Sequence, residues 1–131
     1  GVIGGVKPLG ALTIDNADGS GNIQVFDIGT ASAVGVRGNT EIGNALTDAL
    51  ALDGDDYRTT GSQTYTAKTG GGNIDITGAA TFTTSAAAVE FATSDVDLGA
   101  NVAITTGTTT NVGNGIKYYL AAILSRSFRA F

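Results

Sequence analysis

Short strand-like islands, in which apolar residues alternate with polar or small ones, recur along the chain and constrain its fold more than any other feature. Period-two alternation of this kind is typical of a β-strand with one buried face. Clusters of Gly, Asn, Asp and Ser separate the islands and indicate tight turns. The islands occupy residues 12–14, 23–26, 64–66, 74–76, 81–83, 89–91, 96–98 and 102–104.

The spacing of these islands favours a coiling fold over a sandwich. From residue 74 onward a new island begins roughly every six to eight residues. Strands of a β-sandwich are usually about five or six residues long, with turn signals every 8–12 residues. Three short faces would instead make one turn of about 20 residues, which is the scale of a β-helix repeat. We therefore predict an all-β, parallel β-helix (β-solenoid) fold, with a β-sandwich as the second choice.

The composition excludes several kinds of chemistry. The 131 residues include 20 Gly but no His, Cys, Met or Trp. Without His and Cys the chain lacks the best ligands for zinc, copper, haem and iron–sulfur clusters, and it cannot form a Ser–His–Asp triad or a disulfide. Carboxylates such as Glu41 and Glu90 remain for glycoside cleavage. Glu90, however, lies between two apolar residues of an alternating strand and is predicted to face outward, so we predict that the protein is not an enzyme.

The charge distribution bears on the partners of the protein. The net charge is −5, and all 12 acidic residues lie within residues 1–116. Residues 117–131 are basic, with Lys117, Arg126 and Arg129. An acidic body does not suit nucleic acid, whose phosphates require a basic face. Because no run approaches roughly 18 apolar residues, no membrane span is expected.

Residues 39–50 depart from the strand pattern. The apolar side chains of this stretch fall at helical spacing, at Ile42, Ala45, Leu46, Ala49 and Leu50. A strand would place Asp48 on the same face as Leu46 and Leu50, and burying a carboxylate is costly. The pattern therefore predicts a short helix near residues 40–50.

The last 15 residues, 117–131, differ from the rest in losing Gly, Asn and Thr. We predict a short C-terminal helix or strand here that serves as a cap or docking segment, next to a solenoid module at residues 1–116. The aromatic and aliphatic side chains proposed for assembly are Tyr118, Tyr119, Leu120, Ile123, Leu124, Phe128 and Phe131.

Two acidic turns are candidate calcium sites. Residues 15–22 contain Asp15 and Asp18 ahead of Gly19, but Ile14 stands where the first Asp of an EF-hand loop belongs and no closing Glu follows. Residues 53–56 place Asp53, Asp55 and Asp56 within one turn, where a cation would relieve their mutual repulsion. A solvated, Asx-rich turn is the simpler interpretation of both segments. We expect no cofactor other than calcium.

Thr clusters at residues 59–60, 83–84, 105–106 and 108–110 raise another hypothesis. Regular rows of outward Thr on a flat solenoid face would suit ice or crystalline polysaccharide. The clusters lack an even spacing, and Thr is in any case a good strand residue.

Four segments resemble the repeats of very large bacterial adhesins and filamentous-haemagglutinin-like surface proteins. Residues 4–14 (GGVKPLGALTI) resemble the GG-x-x-PLGALT opening of those repeats, and residues 59–67 (TTGSQTYTA) resemble their TTG-x-QTY motif. Residues 89–91 (VEF) and 96–101 (VDLGAN) resemble their closing strands. In this resemblance residues 115–116 match residues 2–3, so that the chain holds about one repeat.

The resemblance implies a secreted, elongated stalk module at the bacterial cell surface, with no shared catalytic residues. Its partners would be neighbouring repeats or identical subunits. Three functions remain open: a non-catalytic structural repeat of an adhesin or stalk, a self-assembling extracellular filament subunit joined end to end, and a glycan- or ice-binding module.

Overall fold

The computed structural model describes residues 1–17, 20–85, 87–93, 95–106, 111–112 and 116–118, with only the backbone of the last two ranges. Over these ranges the chain is all-β and contains no helix, and its parallel strands stack as a β-solenoid of about 4 turns. The predicted β-solenoid is therefore confirmed. The strands are β1 (Leu12–Ile14), β2 (Gly21–Val25), β3 (Thr40–Ile42), β4 (Thr47–Leu52), β5 (Asp56–Arg58), β6 (Gln63–Thr66), β7 (Asn73–Ile76), β8 (Thr81–Thr83), β9 (Val89–Ala92), β10 (Asp95–Leu98), β11 (Ala103–Thr105), β12 (Asn111–Val112) and β13 (Ile116–Tyr118).

The strands form three parallel sheets that wrap around one core. Sheet 1 has the order β1-β3-β6-β9-β12, sheet 2 the order β2-β4-β7-β10-β13, and sheet 3 the order β5-β8-β11. Isolated parallel bridges extend sheet 3 backward, from Tyr57 to Ile28 and from Ile28 to Ile3. Along this line Tyr57 pairs with Phe82 and Phe82 with Ile104, so one turn takes roughly 22–29 residues.

Each sheet contributes inward side chains that stack in rows from turn to turn. The rows follow from period-two alternation along strands that are paired in register. One row in each sheet is Ile14, Ile42, Tyr65 and Phe91 in sheet 1; Ile23, Leu50, Ile74 and Val96 in sheet 2; and Ile28, Tyr57, Phe82 and Ile104 in sheet 3. Sheet 2 has a second row, Val25, Leu52, Ile76 and Leu98, and sheet 1 has a second row, Leu12, Thr40, Gln63 and Val89.

Four buried aromatic rings form the centre of the core. Tyr57 stacks on Phe82 at 4.6 Å between ring centroids, and Tyr65 stacks on Phe91 at 5.4 Å. Between the two stacks, Phe82 meets Tyr65 and Phe91 edge to face at 5.5 Å and 5.3 Å. Offset stacks and edge-to-face pairs are the favourable arrangements of aromatic quadrupoles, so this cluster joins sheets 1 and 3 across the third and fourth turns.

A buried amide supports the aromatic cluster. Gln63 is fully buried, and its Nε2 donates to the backbone carbonyls of Tyr57 (2.9 Å) and Thr83 (3.0 Å). The hydroxyl of Tyr65 donates to Oε1 of Gln63 at 2.8 Å. The side chain therefore satisfies polar groups of three neighbouring strands, which offsets the cost of burying it.

The helix predicted near residues 40–50 is wrong. This stretch forms β3 and β4, joined by a turn in which Gly43 has a positive φ of 79°. The register between β2 and β4 passes from Thr47 to Ala49 and skips Asp48. A β-bulge at Asp48 therefore removes its carboxylate from the buried face. The helix is predicted because a regular strand would bury Asp48, and the bulge avoids that burial.

The tail begins as a strand. The strand β13 crosses the predicted boundary at residue 116, and its backbone pairs with β10 from Val96 to Leu98. Ile3 lies on the line of sheet 3, whereas Ile116 lies in sheet 2, so the two residues that the repeat resemblance matched occupy different positions around the solenoid. Residues 119–131 lie outside the described part of the chain.

Candidate functional site

The outer surface of sheet 2 carries a row that becomes acidic toward its C-terminal turns. The row consists of Gln24, Ala51, Asp75 and Asp97, with Lys117 next in backbone register. Because β7 and β10 are paired in register, Asp75 and Asp97 are immediate neighbours, and paired strands lie about 4.8 Å apart.

These two carboxylates line an open cavity of about 230 Å³, together with Ile76, Thr77 and Gly99. The Oδ1 atom of Asp97 is buried there and has no hydrogen-bond partner. Oδ1 of Asp75 accepts a hydrogen bond from Nδ2 of Asn73 at 2.9 Å.

Burial and the neighbouring carboxylate both affect the pKa of Asp75. Burial raises the pKa of Asp75 above its usual value of 3.8, and the neighbouring carboxylate of Asp97 acts in the same direction. The hydrogen bond from Asn73 partly opposes this shift. The carboxyl group of Asp75 is therefore easier to protonate than an ordinary surface Asp.

Asp53, one of the calcium candidates, lies near this row and is occupied by hydrogen bonds. Its Oδ1 accepts from Oγ1 of Thr77 at 2.6 Å, and its Oδ2 accepts from Nε2 of Gln24 at 2.5 Å. These two bonds lower the pKa of Asp53 because they stabilise the ionised form.

The turn at residues 53–56 is organised by a carboxylate that the sequence did not single out. Oδ1 of Asp27 accepts hydrogen bonds from the backbone N–H groups of Asp55 (2.8 Å) and Asp56 (3.2 Å). The side chain of Asp55 is exposed, and so is that of Asp15 at the end of β1. Asp18 lies outside the described residues.

The described calcium candidates do not converge. Within the ranges that the structure describes, no group of three or more His, Cys, Asp or Glu side chains could hold a metal ion. The structure therefore does not bring Asp15, Asp53, Asp55 and Asp56 together as one ligand set, and calcium binding stays a prediction.

The two Glu residues considered for catalysis share a row on sheet 1. The outward positions of this row are Thr13, Glu41, Thr64 and Glu90. Thr64 separates the two carboxylates, and both project from the outer surface of a sheet. The alternation of Thr with Glu also interrupts the Thr row that an ice-binding face would need. The absence of enzyme activity and the glycan or ice hypothesis both stay predictions.

Of the residues proposed for assembly, the structure describes only the backbone of Tyr118, which ends β13. The others, Tyr119, Leu120, Ile123, Leu124, Phe128 and Phe131, lie outside the described residues.

Sequence reasoning missed the pairing of Asp75 with Asp97. Each residue is recognisable as the outward member of an alternating strand, between Ile74 and Ile76 or between Val96 and Leu98. Aligning these two islands on each other would have placed the carboxylates side by side. That alignment requires the length of one turn, which the sequence predicted only as about 20 residues.

The chain matches no protein-family model, no curated protein and no solved structure. Among the described residues, no helix is long and apolar enough to cross a membrane.

Proposed function

We propose that this chain is a non-catalytic structural segment of a secreted rod or stalk at the bacterial cell surface, of the kind found in large adhesins. The observation that supports the proposal is the unbroken stacking of inward rows from the first turn to the last described one. Each turn buries its apolar residues against its neighbours, so the fold extends in one dimension by adding turns. An acidic outer surface with exposed Thr and Asn keeps such a rod soluble.

The surface location can be tested on intact cells that carry the gene. An antibody raised against the purified chain should label unpermeabilised cells, and brief protease treatment of those cells should remove the label. An antibody against a cytosolic protein serves as the control and should label only after permeabilisation. Labelling by both antibodies only after permeabilisation would refute a surface rod.

We propose end-to-end association of solenoid turns as a second candidate function. In the first turn (residues 2–26), Val2, Val6, Leu9 and Phe26 are exposed, and Val6 is 96% exposed. One turn later the partner of Leu9, which is Val36, is fully buried.

The edge strands of this turn also favour pairing. The strands β1 and β2 contain no charged residue. Natural edge strands are usually protected from pairing by charges, so an uncharged edge beside exposed apolar residues fits another β-solenoid turn.

Sedimentation velocity over a wide concentration range tests this association. We expect the particle mass to rise with concentration, and Val6→Lys or Phe26→Lys to prevent the rise. Leu46→Lys is the matched control, since Leu46 is 43% exposed but lies in the turn between β3 and β4. A mass that does not change with concentration would refute association. If deletion of residues 117–131 leaves the particle mass unchanged, the tail takes no part in it.

A further inference from the structure

In the outer row of sheet 2, one buried carboxylate oxygen lacks a hydrogen-bond donor, and a neighbouring side chain can become that donor. Asp75 and Asp97 are register neighbours, and Oδ1 of Asp97 is buried without a donor. A buried carboxylate oxygen without a partner is costly, because it has lost its water and gained no hydrogen bond. Asp75 is the side chain next to it, and a carboxyl group becomes a donor only when it is protonated.

Among the side chains that the structure describes around this row, no other group supplies this donor. The Asn73 amide of β7 is directed to Asp75, and Thr77, which follows β7, donates to Asp53. From β2, Gln24 also donates to Asp53. The remaining charged groups on neighbouring positions are Asp95, which belongs to β10, and Lys117, which is next to Asp97 in backbone register on β13.

We propose that Asp75 and Asp97 hold one proton between them, as a carboxylic acid–carboxylate pair, and that this pair makes the solenoid more stable in a mildly acidic medium than at neutral pH. The shared proton supplies the missing donor to Asp97 and removes one of two adjacent negative charges. Two carboxylates that share a site lose their protons in two coupled steps.

The direction of the effect on stability follows from the folded-state pKa of Asp75, which is raised above its usual value of 3.8. The folded protein then binds this proton more tightly than the unfolded chain does. The stabilisation is fully present below the usual value and is lost as the pH rises through the raised pKa. Acidification from neutral pH should therefore increase the free energy of unfolding in the window above the usual value.

Carboxyl ¹³C chemical shifts, followed by NMR as a function of pH, test the shared proton directly. We expect the Asp75 signal to show a two-step titration, with one midpoint above the usual value of 3.8. In Asp97→Asn and Asp97→Ala, Asp75 should titrate in a single step at lower pH, and the acid-side rise in melting temperature should be smaller. The Ala variant is needed because an Asn amide could itself donate to Asp75.

Glu90→Gln is the matched control, because Glu90 is an exposed carboxylate on sheet 1. This variant should keep the two-step titration and the acid-side rise in melting temperature. If Asp75 titrates in one step whose midpoint is the same in the wild type and in both Asp97 variants, the shared proton is refuted. This result would leave the rod proposal untouched, since that proposal rests on the inward rows.

Discussion

The aromatic cluster gives the sharpest prediction about stability, and Phe82 is the residue to change. Its ring is fully buried, stacks on Tyr57 at an interplanar angle of 9°, and meets Tyr65 and Phe91 edge to face. Truncating a buried Phe to Ala usually costs about 3–5 kcal/mol. Each aromatic pair adds about 0.5–1.5 kcal/mol beyond the buried area. Measured costs of Phe→Ala already include such pair energies in part, so the three pairs of Phe82 place Phe82→Ala at the upper end of the range, and we expect it to lower the free energy of unfolding by about 4–5 kcal/mol.

A volume-conserving variant separates packing from ring geometry. Phe82→Leu keeps most of the apolar volume but loses the three ring pairs, and we expect it to cost at least about 1.5 kcal/mol, which is three pairs at about 0.5 kcal/mol each. Leu46→Ala is the surface control, since Leu46 is 43% exposed and lies outside the proposed association face, and it should cost less than about 1 kcal/mol.

Equilibrium unfolding in urea, followed by far-ultraviolet circular dichroism and tyrosine fluorescence, measures these differences. If the slope of the unfolding free energy against urea concentration is unchanged, the variants expose as much surface on unfolding as the wild type does. If Phe82→Ala costs less than about 2 kcal/mol, or if Phe82→Leu costs as much as Phe82→Ala, the ring cluster does not carry the energy assigned to it.

Three further predictions follow from the buried amide, one glycine and one carboxylate. Gln63→Leu should cost about 3 kcal/mol in urea unfolding, because it removes hydrogen bonds to the carbonyls of Tyr57 and Thr83 and leaves the buried hydroxyl of Tyr65 without its acceptor, and a neutral result would contradict the network. Gly43→Ala should lower the melting temperature, since its φ is 79° and a Cβ would lie 2.0 Å from the carbonyl oxygen of Thr66, whereas Gly10→Ala, with nothing within 4 Å, should not. Because the pKa of Asp53 is lowered in the folded protein, the melting temperature should decrease as the pH falls below the usual pKa of 3.8. Asp53→Asn should make this decrease smaller in a series of thermal melts. An equally large decrease in the variant would show that other groups cause the loss of stability in acid.

Local sequence determined which face of most strands is buried. Alternation at residues 74–76, 81–83 and 96–98 places their apolar members inward, as the structure shows. Alternation is a property of the extended backbone and needs no information from other turns. The alternation rule failed at residues 47–52, because a β-bulge moves Asp48 off the buried face. This bulge is visible only in the pairing of β4 with β2.

The candidate site could be predicted only as separate residues. Asp75 and Asp97 are each visible in the sequence as outward carboxylates, but the contact between them depends on inter-turn register. Turn lengths range over roughly 20–29 residues, so no single period aligns the strands.

The sequence by itself therefore indicated that the chain is built of short strands, favoured a coil over a sandwich, and showed for most strands which side chains face the core. The tertiary structure decided which residue stacks on which, including Tyr57 on Phe82, Tyr65 on Phe91 and Asp75 beside Asp97. The physical reason is that alternation acts within one strand, whereas register is set by packing between turns whose connecting loops vary in length.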